Sequence, residues 1–134
     1  MAEFQIVDGV LKKYNGSEAT VVIPDTVSVI GESAFEGCET VSCVTIPETV
    51  TEIDSYAFAD CERLEKINLP HSLTQISFAL FQRCHNLPPL PIPTGVTEID
   101  GSAFEGCPFT SLVIPAAVKK YPAPPSAIAR CSQR

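Results

Sequence analysis

A 23-residue period runs through most of the chain and constrains its fold more than any other feature. The segments "VVIPDTVSVIGESAFEGC", "VTIPETVTEIDSYAFADC", "INLPHSLTQISFALFQRC" and "LPIPTGVTEIDGSAFEGC" begin at Val21, Val44, Ile67 and Leu90, each 23 residues after the last. Pro24, Pro47, Pro70 and Pro93 keep that step, as do Phe35, Phe58, Phe81 and Phe104, and Cys38, Cys61, Cys84 and Cys107. Self-similarity at this period marks a stack of small units, each of which borrows its core from its neighbours. A worn fifth copy follows the shortened link "PFTS", with Leu112, Ile114, Pro115, Val118 and Tyr121 in the apolar places, Ala127-Ile128 standing for Ala-Phe and Cys131 for the ladder cysteine. The stack is therefore expected to end inside its own pattern.

Within one unit the apolar places follow Leu64-x-x-Ile67-x-Leu69-Pro70, then Leu73-x-x-Ile76, then Phe81 and Cys84. Ile67 and Leu69 alternate with strand period, while the second pair, spaced by three, reads as a short extended piece or turn on the opposite wall. Stacked at about 4.8 Å, the spacing of paired strands, equivalent places join into internal ladders. Each proline then ends a strand, where a missing amide costs little. Ahead of the repeats, "FQIVDGVLKKYNGSEAT" reads as a hairpin meander with Asp8-Gly9 and Asn15-Gly16 as its turns, placed to cap the first unit's open edge.

The signature IPxxVTxIxxxAFxxC at this period resembles the Treponema pallidum-type, or BspA-like, leucine-rich repeats of bacterial proteins, over about Glu18 to Cys131. The resemblance implies a mainly β repeat solenoid, a right-handed leucine-rich-repeat coil of about five 23-residue repeats with a parallel strand ladder and an N-terminal β-hairpin cap. One domain would take all 134 residues, with the cap at 1–17, the repeats at 18–131 and a tail at 132–134. It also implies a role, since BspA-like proteins are commonly surface proteins implicated in adhesion to host proteins and to other bacteria.

The formal charge of −7 opposes a phosphate backbone, so direct nucleic-acid binding is not expected. It leaves a basic protein as an eligible partner. No apolar run approaches the roughly 20 residues of a membrane-spanning helix. The N-terminus "MAEFQIVDGV" has neither a basic n-region nor an apolar h-region. A cytoplasmic location is expected if the chain as written is complete, and a surface or secreted one by the resemblance.

The cysteines could suggest disulfides or zinc, but one cysteine per unit at an internal place reads as a packed, reduced thiol. Cys43 lies off that ladder, on the outward side of its strand, and is expected as an exposed thiol able to crosslink two chains. Cys84-His85 has the composition of a nucleophile pair, yet adjacent residues at a turn point apart and Cys84 belongs to the core. Neither His71 nor His85 joins a constellation, so no catalytic residue, metal or cofactor is assigned. Glu52 with Asp54, and Glu98 with Asp100, sit two apart in equivalent places and form an acidic face; paired carboxylates can hold a cation or transfer protons, but no second ligand type accompanies them. In "LPPLPIP", Pro89, Pro91 and Pro93 share one parity, which removes the amides on one side of the fourth strand. A weakened seam is expected there.

Solenoids present broad surfaces and bind other macromolecules. The outward places of the strand wall, expected to be its concave face, include Thr20, Val22, Ser42, Cys43, Thr45, Glu65, Lys66, Asn68, Pro89, Pro91, Ser111 and Val113. Their small, mixed chemistry suits a protein partner, with adhesin-type binding of host or bacterial proteins as the first reading. The second is an acidic cytoplasmic binder that inhibits or scaffolds a basic protein, such as a nuclease system, through Glu52, Asp54, Glu98 and Asp100. The last repeat's uncapped edge is also open to self-association.

Overall fold

Two short extended segments per unit, joined by turns, are what the apolar spacing demands, and the computed structural model, which describes residues 3–108 and 114–119, is built that way. Its strands are β1 (Phe4–Val7), β2 (Val10–Tyr14), β3 (Thr20–Val22), β4 (Val29–Ile30), β5 (Cys43–Thr45), β6 (Glu52–Ile53), β7 (Lys66–Ile67), β8 (Gln75–Ile76) and β9 (Glu98–Ile99), and no helix occurs among the described residues. The first wall is the parallel sheet β3-β5-β7, in which Val21, Val44 and Ile67 pair at the repeat step and point inward. The second wall is the sheet β1-β2-β4-β6, followed by the separate pair β8-β9. Between the walls, each proline carbonyl accepts the amide three residues on, as in Val27 to Pro24 and Val50 to Pro47. The strand therefore stops at a β-turn.

A third ladder runs through the Ala-Phe segment, where no strand is formed. The amides of Ser33, Phe35 and Gly37 donate to the carbonyls of Ser55, Ala57 and Ala59 one unit on, while those of Ala34, Glu36 and Cys38 donate three residues back. Alternate amides thus stitch units together and fold consecutive turns. Those turns need a positive φ at two places per unit: Ser33, Tyr56, Ala79 and Ser102 at the first, and Gly37, Asp60, Arg83 and Gly106 at the second. Two non-glycine residues at the second place gain a compensation, because Arg83 Nε and Nη2 donate to the Asp60 carboxylate at 2.7 and 3.2 Å across the unit boundary. That bidentate contact holds the Asp60 carboxyl below its ordinary range.

The segment aims its phenylalanines inward, where Phe35, Phe58, Phe81 and Phe104 are at most 1% exposed. Their rings stack with centroids 4.9, 5.9 and 5.7 Å apart and interplanar angles of 17–20°. Below them, Ile30, Ile53, Ile76 and Ile99 form the second-wall column.

The N-terminal hairpin is present, with Asp8 and Gly9 both at positive φ (52° and 80°), the conformation of a two-residue hairpin turn. Its second strand is a truncated unit: Leu11 pairs with Ile30, and Tyr14 stacks on Phe35 at 5.1 Å. Two expectations need correction. Asn15-Gly16 makes no turn; Gly16 is required because a β-carbon would strike the Tyr14 ring. The hairpin also caps only the second wall, because β2 joins β4 and leaves β3 at the edge of its own sheet.

The first-wall sheet stops at β7. Cys43 and Lys66 donate their amides to Ala19 and Ser42, and Pro89 stands at the next step with no amide to give. Among the described residues no backbone hydrogen bond joins the third and fourth units along this wall. The Ile67 and Leu69 amides are expected to exchange with deuterium faster than those of Val21 and Ile23, the latter bonded to the Thr45 carbonyl at 3.0 Å. Residue-resolved NMR exchange checks this, and equal protection would refute a seam.

The fifth unit is described only at 114–119, where Ile114 and Val118 are buried and the Lys119 amide donates to the Thr97 carbonyl. Tyr121, Ala127, Ile128 and Cys131 lie outside the described residues, as does the terminal edge.

Candidate functional site

Strand pleating sends alternate first-wall side chains outward in two columns set by the register. One runs Thr20, Cys43, Lys66, and the other pairs Val22 with Thr45. Thr20, Val22, Thr45, Glu65, Lys66, Asn68, Pro89 and Pro91 are exposed, whereas Ser42 and Cys43 are half-buried. Cys43 is thus less open than expected, since it is flanked by Thr20 and Lys66 in the ladder. Val22, 64% exposed on the edge strand, is the most open large apolar residue of the described chain. Ser111 and Val113 lie outside the described residues.

Asn68 departs from the role its outward position suggests. Its side-chain oxygen accepts the Ile46 amide and its nitrogen donates to the Ile46 carbonyl, both at 2.8 Å. The side chain closes a backbone-like pair between the second and third units, so its amide is committed to the fold.

On the second wall, β6 and β8 are not paired; the Ser77 hydroxyl instead reaches the Ile53 carbonyl at 2.6 Å. A depression of about 260 Å³ opens at this break, lined by Glu52, Thr74, Gln75 and Ser77 among others. Glu52 is exposed and Asp54, Glu98 and Asp100 are half-buried. Asp100 accepts from the Gln75 amide at 2.9 Å. Partial burial, with a hydrogen bond to Glu52 and its charge adding in the same direction, raises the Asp54 carboxyl to about 6. At neutral pH this pair opposes folding. Between about pH 4 and 6 the folded protein holds a proton that the unfolded chain has released, so stability falls as pH rises through that window and is flat above it. Asp54→Asn is expected to flatten the profile and add about 1 kcal/mol at pH 7, a figure reduced for the group's exposure to solvent. Urea melts at pH 4.5 and 7 check this; an unchanged pH dependence would contradict it.

The ladder cysteines do more than fill space. The Cys61, Cys84 and Cys107 thiols donate to the Phe35, Phe58 and Phe81 carbonyls at 3.1, 3.1 and 3.3 Å, so each points toward the preceding unit's backbone rather than toward another sulfur. Burial pushes the Cys61 and Cys107 thiols up to about 12 and raises Cys84 further. Such thiols are poor nucleophiles at neutral pH. Cys38, behind the truncated unit, is instead half-buried, with its sulfur 3.8 Å from the Thr40 hydroxyl. His71 sits on the surface 3.4 Å from Glu48, and His85 is exposed, with Asp60 within reach of its field. Among the described residues no cluster of three metal-ligating side chains occurs, and no helix is long and apolar enough to cross a membrane.

Sequence reasoning missed one surface feature. Tyr56 and Phe78 form an edge-to-face pair, 5.6 Å between centroids, with Phe78 42% exposed. The signal was available as a departure from the repeat, because Phe78 takes the place of Glu32, Ser55 and Gly101.

Comparison with known proteins agrees with this architecture. A BspA-type leucine-rich repeat region model matches residues 11–133 in six copies, beginning within the hairpin strand that enters the second-wall sheet. A leucine-rich repeat protein from Bacteroides ovatus is 34% identical over 84% of this chain and 32% of its own, with a TM-score of 0.75. The T. pallidum leucine-rich repeat protein is 27% identical over 89% of this chain and 61% of its own, at 0.82. A leucine-rich cell surface protein from Faecalibacterium prausnitzii is 26% identical over 84% and 45%, at 0.60. The chain thus spans between a third and three fifths of these relatives' lengths. No curated protein matches it. With the period, the inward Phe and Cys ladders and the matched model in agreement, this chain belongs to the BspA-type leucine-rich repeat family.

Proposed function

We propose that the chain is a non-enzymatic protein-binding module of adhesin type, whose partner lies along the first wall. Leucine-rich repeat domains generally mediate protein interactions. The observation that carries the reading is the outward column pair from Thr20 and Val22 through Thr45 and Lys66 to Pro89 and Pro91, which no part of the described chain covers. Val22 and the unpaired edge of β3 give this wall its apolar and main-chain anchor points. The F. prausnitzii relative, a cell surface protein, supports a surface location.

The crowded carboxylates Glu52 and Asp54 favour a second reading, in which the acidic face holds a basic protein. Affinity capture with the purified domain under reducing conditions, against host matrix and serum proteins and against a bacterial lysate, separates the two. Salt-tolerant capture of a host protein, lost in a Val22→Glu/Thr45→Glu variant, supports the first. Capture abolished by moderate salt and by Glu52→Gln/Asp54→Asn supports the second, and no specific capture by either face refutes both.

A further inference from the structure

The repeat itself shows which surface side chains the fold does not require. At the place of Phe78 the other units carry Glu32, Ser55 and Gly101, and at the place of Tyr56 they carry Ser33, Ala79 and Ser102. Neither aromatic belongs to the inward ladder of Phe35, Phe58, Phe81 and Phe104. Tyr56 also sits at φ 60°, a left-handed conformation that costs backbone energy and that bulky residues rarely adopt. Two departures from the repeat have therefore come together on adjacent units, where the rings meet edge to face and Phe78 stays 42% exposed. Gly101 lies against the far side of the pair, since a β-carbon there would be in ordinary van der Waals contact with Phe78, 3.7 Å from Cε1.

Negative charge flanks this pair in sequence, on the unit that carries Tyr56 and on the unit that follows Phe78. Asp54 precedes Ser55 and Tyr56 on one side, with Glu52 crowding it, and Asp100 precedes Gly101 on the other. The Arg83–Asp60 ion pair and the His71–Glu48 contact lie elsewhere. An exposed Phe78 ring and a half-buried Tyr56 ring on units that also carry carboxylates are suited to a cation that needs both a charge partner and a flat apolar surface, and a guanidinium meets that description better than a hydrated ammonium. Resting on the acidic-face reading, we infer that Tyr56 and Phe78, with Glu52, Asp54 and Asp100, form a docking patch for an arginine-bearing segment of a basic protein partner. The depression between β6 and β8 adjoins the patch through Glu52 and Ser77 and gives the segment a place to continue.

Fluorescence anisotropy with a labelled octa-arginine peptide, titrated with the full chain at low salt, tests the patch. Phe78→Ser and Tyr56→Ser, which restore residues found at these places in other units, are each expected to weaken binding at least about three-fold. Glu52→Gln/Asp54→Asn should weaken it more, and Glu39→Gln/Glu62→Gln, which removes the same charge from another part of the coil, should weaken it less. Circular dichroism melts confirm that each variant is folded. The inference is overturned if both aromatic variants bind as wild type, if the two charge-neutralised doubles weaken binding equally, or if the peptide does not bind. Such a failure alongside salt-labile capture of a basic protein would leave the acidic-face reading standing without this patch. Patch-dependent octa-arginine binding without any salt-labile capture would support the patch and count against that reading.

Discussion

Phe58→Ala is expected to remove most of the domain's stability. Phe58 is fully buried and stacked between Phe35 and Phe81, at 4.9 and 5.9 Å. Truncating such a ring costs about 3–5 kcal/mol in lost burial and residual cavity, and each broken ring pair adds about 0.5–1.5 kcal/mol. Against a total of roughly 5–15 kcal/mol for a domain, the variant is left marginal. Location sharpens the expectation, because stability in a solenoid is a sum of units and nearest-neighbour interfaces. Loss of the middle ring should uncouple the hairpin and first unit from the third and fourth. Urea unfolding followed both by circular dichroism and by NMR signals of Tyr14 should then give two non-coincident transitions, where the wild type gives one. A single transition with a loss under about 1 kcal/mol would show that the ring stack does not bear the load assigned to it.

Gly31→Asp is the second large effect, and it runs against repeat logic. The equivalent places hold Asp54, Ser77 and Asp100, so a repeat-consensus argument would introduce aspartate and expect a gain of about 0.5–2 kcal/mol. The hairpin reverses the sign. Gly31 donates its amide to the Leu11 carbonyl at 2.8 Å, and a β-carbon there would lie 2.9 Å from that same oxygen. Because the obstructing atom is backbone, β2 must move away, which breaks its register with β4 and shifts Tyr14 off Phe35. The expected cost is about 1–3 kcal/mol, with loss of the Tyr14 ring-current shift. A neutral or stabilised variant in thermal denaturation would show that the cap is not seated in this way.

Much of the fold was readable because a repeat samples one environment several times. Conserved spacing of Ile, Pro, Phe and Cys marked the walls and the core without any estimate of strand propensity, and the fourth-unit prolines marked where amides would be missing. Features that depend on a single site were not readable. Asn68 reads as a free surface side chain because its column is outward, and only its distance from the Ile46 backbone reveals that this exposed residue replaces a ladder bond. Cys43 reads as exposed from parity alone, yet its ladder neighbours Thr20 and Lys66 half-cover it. The third ladder through the Ala-Phe turns left no strand pattern, because its order rests on alternating φ signs rather than on alternating side chains. Tyr56 and Phe78 are legible only as departures from the repeat, at places that hold Ser33 and Glu32 in the first unit, and their contact with each other shows only in the structure.

The central functional claim is that a protein partner lies on the first wall. The most direct test is residue-resolved hydrogen exchange on the domain, free and bound to the host protein that it captures. Protection gained at Thr20–Val22, Cys43–Thr45 and Lys66–Ile67, with the turns after Phe35, Phe58 and Phe81 unchanged, is the result this reading predicts. Protection confined to the second wall around Glu52–Ile53 and Gln75–Ile76 would contradict it and assign binding to the acidic face instead.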